Sequence, residues 1–160
     1  KSLRLQDDPE TSRFRKPPKA PSGAGGLVGT TGDYAHFCEM LVNRGQFRGR
    51  QLIGRPILDL MTRNHLGGSS LAQMAVGGFS ETSNDGVGFG LGFASTIDAA
   101  ASRTVGEGDF YWGGLASTLF WVDPTEEFYA IFMAQLIPSS TFNFRGQIKS
   151  IVYGALKADE

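Results

Sequence analysis

The sequence predicts an α+β domain, an antiparallel sheet packed with helices, and three observations point to it. Tyr34, Phe37, Cys38 and Leu41 recur at i, i+3, i+4 and i+7, and Phe144, Ile148, Ile151, Val152, Ala155 and Leu156 make a second helical stripe near the other end. Between these stripes, residues 86–136 carry three extended apolar segments. The connections among the three are short, which favours antiparallel neighbours over long crossovers.

The elements follow in order. Residues 1–26 hold Pro17, Pro18, Pro21, Gly23, Gly25 and Gly26 among charged side chains and read as an extended lead-in lying over a neighbouring surface; residues 27–160 carry the domain. Thr30 or Thr31 suits the cap of the first helix, with Asp33 in its first turn and Gly45 beyond its end. Arg50–Ile53 is a short extended piece. Pro56 fits the first position of a second helix bearing Ile57, Leu58 and Met61 and closing near Gly67. Residues 67–86, rich in Gly, Ser and Asn, read as a long loop whose middle, Leu71–Val76, packs back on the body.

In the first predicted strand, residues 86–94, every second residue is glycine, so Val87, Phe89, Leu91 and Phe93 share one face and bare backbone the other. Something must pack closely on the bare face. The second strand is Phe110–Pro124, with Gly113 and Gly114 in its middle. Asp123–Glu127 turns the chain into the third, Phe128–Leu136, whose continuous apolar run is typical of a strand buried on both faces. The closing helix is flanked by Arg145, Lys149 and Lys157 and is placed to cover one face of the sheet.

Composition sets limits on function. At 160 residues there is chain for a single core. The 15 basic and 16 acidic residues leave a net charge of −1, which gives no basis for a nucleic-acid partner or for attraction to an anionic membrane. Cys38, the one cysteine, reads as a small buried hydrophobe and cannot form an internal disulfide. No run approaches a membrane span, and no compartment can be assigned. Since the chain opens on Lys1 and its first methionine is Met40, it reads as a processed chain or a fragment.

The chemistry, if any, centres on Trp112-Gly113-Gly114-Leu115. Glycine inside a strand marks a place where another backbone or a ligand comes close. Peptide N–H groups beside such a gap can stabilise an oxyanion, as acyl-transfer enzymes require. A β-bulge or tight helix packing explains the same glycines without chemistry. Trp112 is expected to be partly exposed at a pocket, while Phe110, Tyr111, Phe120 and Trp121 read as core. His36 and His65 have no partner at metal-ligand spacing, so no metal is predicted, and His65 suits a helix C-terminus. Gly23–Gly29 lacks the preceding strand and following Lys-Ser/Thr of a phosphate loop. Glu107 and Asp109, next to Gly106 and Gly108, read as a hairpin turn with solvated charges rather than an acid pair.

Taken in order, Gly25-Gly26-Leu27-Val28, Asp33-Tyr34-Ala35-His36-Phe37, residues 58–66, Gly88-Phe89-Gly90-Leu91-Gly92-Phe93, Trp112-Gly113-Gly114 and Phe120-Trp121-Val122-Asp123-Pro124 resemble the carboxy-terminal half of the beta-lactamase-related serine hydrolases. The likeness is strongest to the class C type, its esterases and penicillin-binding-protein-like relatives, and runs from about residue 21 to residue 156. It implies a partial beta-lactamase/transpeptidase-like fold in which Trp112, Gly113 and Gly114 occupy the Lys-Thr-Gly position as a wall of the substrate pocket, and the backbone N–H of Leu115 is one oxyanion donor. It also implies a Ser-x-x-Lys nucleophile and a Tyr motif. Neither lands here: no serine has Lys three residues on, and Tyr34, Tyr111, Tyr129 and Tyr153 fall within other matching segments.

The resemblance thus implies the carboxy-terminal portion of an esterase-like serine hydrolase, inactive alone, whose small-molecule acyl substrate binds once the amino-terminal half completes it, without a metal or organic cofactor. The alternative is a non-catalytic binding or assembly module. Trp in place of the family's Lys removes a cation for a substrate carboxylate, so esters are favoured over β-lactams. A sheet missing its neighbours predicts self-association of the isolated chain.

Overall fold

A computed structural model describes residues 2–23, 25–68 and 85–157. The expected packing of Leu71–Val76 lies outside the described residues. The lead-in carries one short 3-10 turn, Arg13–Arg15, and is mostly exposed. Helix α1 spans Thr31–Val42, strands β1 (Gln46–Phe47) and β2 (Arg50–Gln51) form a small hairpin, and helix α2 spans Arg55–Thr62. Then come β3 (Val87–Phe89), β4 (Ala94–Thr96), the single-turn helix α3 (Ala99–Ser102), β5 (Phe110–Gly113), β6 (Leu119–Asp123), β7 (Phe128–Phe132) and helix α4 (Phe144–Ala155). The main sheet is antiparallel throughout, in the order β3-β4-β5-β6-β7.

The α+β class and its antiparallel sheet are as the sequence predicts, but five strands stand where three were expected. Two of the predicted strands are each a folded-back pair. The chain turns at Gly90–Phe93, with Gly92 at φ 106°, so Leu91 is exposed rather than sharing a face with Val87 and Phe93. It turns again at Gly114–Thr118, so the glycine pair ends one strand and opens a turn instead of interrupting a single strand.

Helix α1 starts where Thr30 and Asp33 cap each other: Thr30 Oγ1 accepts from the Asp33 N–H, and Asp33 Oδ2 accepts from the Thr30 N–H at 2.8 Å. That backbone bond holds the Asp33 carboxyl below its ordinary value. The helix ends in Arg44 and Gly45, both left-handed; a side chain at Gly45 would run into the Ile53 carbonyl. Cys38, Met40 and Leu41 face a core shared with Leu58 of α2 and with Phe93, Phe110, Phe120 and Val122 of the sheet. Alternation along β6 and β7 sends Phe120, Val122, Tyr129 and Ile131 to this face. Trp121 and Phe128 meet on the opposite face, where Phe128 also meets Tyr153 of α4 and Phe132 meets Phe144. The sheet therefore lies between α1 and α2 on one side and α4 on the other.

Helix α4 docks by only part of its predicted apolar stripe: Phe144 meets Phe132, and Ile148 and Val152 are half-buried. Ile151 is 70% exposed, whereas Lys149 is buried. The helix covers one face of the sheet as expected and is held in addition by polar side chains described below, which the apolar periodicity did not show.

The bare backbone of Gly88 and Gly90 is filled as the alternation requires. A Cβ at Gly88 would overlap the Asn64 side chain, and one at Gly90 the Met61 carbonyl. The segment after α2 lies along the outer edge of β3: Phe89 N–H donates to Asn64 Oδ1 at 3.1 Å, His65 N–H to the Phe89 carbonyl at 2.8 Å, and Leu91 N–H to the Met61 carbonyl at 2.8 Å. Because the obstacle at Gly90 is backbone, Gly90→Ala must push α2 away from the sheet. We expect it to destabilise the fold by about 1–3 kcal/mol, seen as a lower urea midpoint; an unchanged midpoint would refute this packing.

Candidate functional site

Trp112 and Gly113 end β5, paired with Phe120 and Leu119 of β6. Gly114 N–H donates to the Thr118 carbonyl at 2.8 Å, and Ser117 N–H to the Gly114 carbonyl at 3.1 Å. Leu115, Ala116 and Ser117 thus make a three-residue hairpin loop with its last residue left-handed, Ser117 at φ 67°. Two bonds tie the loop to the chain beyond β7: Ser117 Oγ donates to the Leu136 carbonyl at 2.6 Å, and Leu136 N–H to the Ala116 carbonyl at 3.1 Å.

Within this clamp Leu115 is 56% exposed, and its N–H donates to no acceptor among the described residues. Trp112 is half-buried and meets Phe89 edge-on at 5.1 Å. The structure therefore places Trp112, Gly113, Gly114 and Leu115 at one end of β5, where the Leu115 N–H has no acceptor among the described residues. Gly114 has a packing reason of its own, since a Cβ there would overlap Thr118 Oγ1.

The other constellations separate. His36 stacks near Phe47, at 5.3 Å, whereas His65 Nε2 lies 2.8 Å from the Leu60 carbonyl at the end of α2, which accounts for its position. Among the described residues no group of three or more His, Cys, Asp or Glu side chains is placed to hold a metal ion. Cys38 is fully buried, and burial pushes its thiol from an ordinary 9.0 to about 12.

The expectation for Asp109 is corrected. Glu107 is exposed in a turn as predicted, but Asp109 is fully buried at the start of β5 and forms an ion pair with Lys149 of α4. Thr96 Oγ1 donates to Asp109 Oδ1 at 2.7 Å, and the Tyr153 hydroxyl lies 3.2 Å from Asp109 Oδ2 and also donates to Asp123 Oδ2. Lys149 Nζ stands 5.2 Å above the Tyr111 ring. Burial pushes the Asp109 carboxyl up, against the opposing pull of Lys149, Thr96 and Tyr153. It pushes the Tyr111 and Tyr153 phenols up as well, reinforced by the neighbouring carboxylates. Sequence pattern missed this cluster because the partners of Asp109 lie far from it in the chain, Thr96 at 13 residues and Tyr153 at 44; the signal available was a Lys and a Tyr at i, i+4 on one helix, Lys149 and Tyr153. Beside it, a cleft of about 540 Å³ lies between residues 103–105 and α4, lined by Arg103, Asn143, Gln147 and Ser150, at the opposite end of β5 from Leu115.

Comparison with known proteins places the fold. The family model described as Beta-lactamase matches residues 3–146. The chain belongs to the beta-lactamase family. Among solved structures it is similar to EstCE1, a hydrolase with promiscuous acyltransferase activity, at 26% identity and a TM-score of 0.66, over 84% of this chain and 32% of that one. It is similar also to a penicillin-binding protein homologue from Caulobacter crescentus, at 17% identity and a TM-score of 0.55, over 75% of this chain and 30% of that one. A third likeness is to simvastatin synthase (LovD) from Aspergillus terreus, at 20% identity and a TM-score of 0.51, over 67% of this chain and 28% of that one. The chain thus spans about a third of the length of these proteins. No curated protein matches it.

Two outcomes follow from the buried groups. Lys149→Met leaves the Asp109 carboxylate buried without its cation and should cost about 3–5 kcal/mol at neutral pH. The carboxyl value, already raised, then rises further, so the loss is smallest at acid pH and grows as pH climbs through the folded value; urea titrations of both proteins at several pH values check this. In the native protein Cys38, Tyr111 and Tyr153 keep their protons where the unfolded chain begins to release them, near 9.0 for the thiol and 10.0 for the phenols. The contribution of these three groups to stability is therefore full below about pH 9 and falls above it, and Cys38 should react with a thiol reagent only after unfolding.

Proposed function

We propose that this chain is the carboxy-terminal portion of an esterase-like serine hydrolase, supplying an oxyanion donor and one pocket wall while the nucleophile comes from outside residues 1–160. The reading is carried by the Leu115 N–H, which sits on a clamped, exposed turn and has no acceptor among the described residues. A donor fixed before the reaction needs no reorganisation when charge develops on the substrate carbonyl, which is the condition for oxyanion stabilisation. The nucleophile is sought elsewhere because no Ser-x-x-Lys occurs in the sequence. The acyl-enzyme formed on that serine is then hydrolysed by water, and the scheme requires no metal or organic cofactor. Trp112, half-buried beside the turn, presents an apolar wall where a lysine would offer a cation, which suits a small carboxylic ester better than an anionic β-lactam. The likeness to EstCE1, a hydrolase with promiscuous acyltransferase activity, supports acyl chemistry as the class of reaction.

A second reading is a non-catalytic binding or assembly module. It is favoured by Thr118 Oγ1, which occupies the space of a Gly114 side chain and so explains that glycine by packing.

Leu115→Pro separates the two. Proline suits the second position of such a turn and removes only the N–H in question. In the protein expressed together with the coding sequence upstream of Lys1, the variant should keep its melting temperature and lose about 10²-fold or more in kcat/KM on short-chain p-nitrophenyl esters. Full turnover in the folded variant would sink the donor role. Absence of both hydrolysis and an upstream Ser-x-x-Lys would leave the assembly module.

A further inference from the structure

Ser117 has properties that the hairpin alone does not require. Its backbone is left-handed, φ 67°, at the last position of the loop, which glycine takes without the steric cost a serine meets. Its side chain is buried, only 4% exposed, on a turn where Leu115 is exposed. Its Oγ donates to the Leu136 carbonyl at 2.6 Å, 19 residues further along the chain. Leu136 returns the contact, its N–H donating to the Ala116 carbonyl at 3.1 Å, so both of its backbone groups are given to the turn. Sparsely populated backbone conformations persist where the surroundings over-determine them, and here the over-determining contact is the one the side chain makes. A buried hydroxyl committed to a carbonyl is no nucleophile. What it fixes is the loop.

We propose that Ser117 is a positioning residue for the Leu115 N–H, an inference that rests on the oxyanion-donor reading above. The hairpin's own bonds, Gly114 N–H to the Thr118 carbonyl and Ser117 N–H to the Gly114 carbonyl, close the loop but leave its tilt against the sheet free. The bonds to Leu136 anchor it from outside the hairpin, on the segment that leads from β7 to α4. Such an anchor matters for a donor. A group that stabilises developing charge must be held within about 0.5 Å of its place, and a misplacement of about 1 Å can cost on the order of 10²-fold in rate. Without the hydroxyl the turn keeps its shape and one tie to Leu136, and the N–H gains freedom. The loss then falls on the step in which charge develops on the substrate carbonyl, more than on substrate binding.

The test uses the protein expressed together with the coding sequence upstream of Lys1, with short-chain p-nitrophenyl esters as substrates. Ser117→Gly removes the hydroxyl and relaxes the left-handed backbone, so its melting temperature should stay close to that of the parent. Its kcat should fall about tenfold with KM unchanged, the mark of an interaction made only in the transition state. Ser117→Ala lacks the same oxygen without glycine's looseness and should lose as much. In the Leu115→Pro background, Ser117→Gly should bring no further loss, because the group it positions is gone. An equal loss in both backgrounds, a raised KM at unchanged kcat, or parental turnover in both Ser117 variants overturns the assignment and leaves the donor reading standing. Full turnover of Leu115→Pro alone, or no hydrolysis by the parent, removes the donor reading and this inference with it.

Discussion

β6 has to stay dry on both faces and along both edges, and most of the fold follows from that requirement. Its five residues, Leu119 to Asp123, are all buried, with Phe120 and Val122 turned toward α1 and α2, and Trp121 and Asp123 toward α4. Burying both faces of one strand takes two layers of cover. The first comes from an apolar helix, α1, whose Cys38 and Leu41 fill the core below Phe120. The second comes from a helix held by polar atoms in addition to the rings of Phe144 and Tyr153. The difference matters because an apolar contact tolerates sliding, whereas a hydrogen-bonded one fixes position.

On the second side the cover is set by charge. Asp109 before β5 and Asp123 at the end of β6 both reach Tyr153, and Asp109 reaches Lys149 one helical turn earlier. Asp123 also caps its own turn, with Oδ1 accepting from the N–H groups of Thr125 and Glu126 at 2.8 and 3.0 Å. One carboxylate thus shapes the β6–β7 connection and locates α4. Such clusters set registry more than they add stability, since desolvation offsets much of the attraction. Their location at the Asp109 end of β5 leaves the Leu115 end to be fixed separately, by Ser117 and Leu136.

The sequence was legible where periodicity and turn chemistry coincide. Thr30 with Asp33, and Asp123 before Pro124, mark ends that the structure keeps, because local side-chain bonds to the backbone determine them. The alternating glycines of residues 86–92 announced a close neighbour, and Met61 and Asn64 supply it. Illegible were the two hairpins hidden in apparently continuous strands, since an apolar run shows no break when its turn is built from Leu, Ala and a left-handed Ser. The buried ion pair of α4 was missed for a different reason: long-range pairing leaves no period in the sequence. β7 was read from its apolar run as a strand buried on both faces, and its five residues are half-buried. At the candidate site, the pattern singled out residues 112–115 as a group, but the clamp from Leu136, 21 residues beyond Leu115, could not be seen from spacing.

The small volume next to Gly114 bears on how relatives of this chain should be compared. Thr118 Oγ1 stands where a side chain at 114 would begin, so the packing of the hairpin favours glycine there whether or not an acyl group ever meets the turn. Selection for folding and selection for hydrolysis would leave the same letter at that column of an alignment. A relative that has lost every trace of activity would keep its glycine as faithfully as an active one, and the residue is a marker of descent and shape, silent on chemistry.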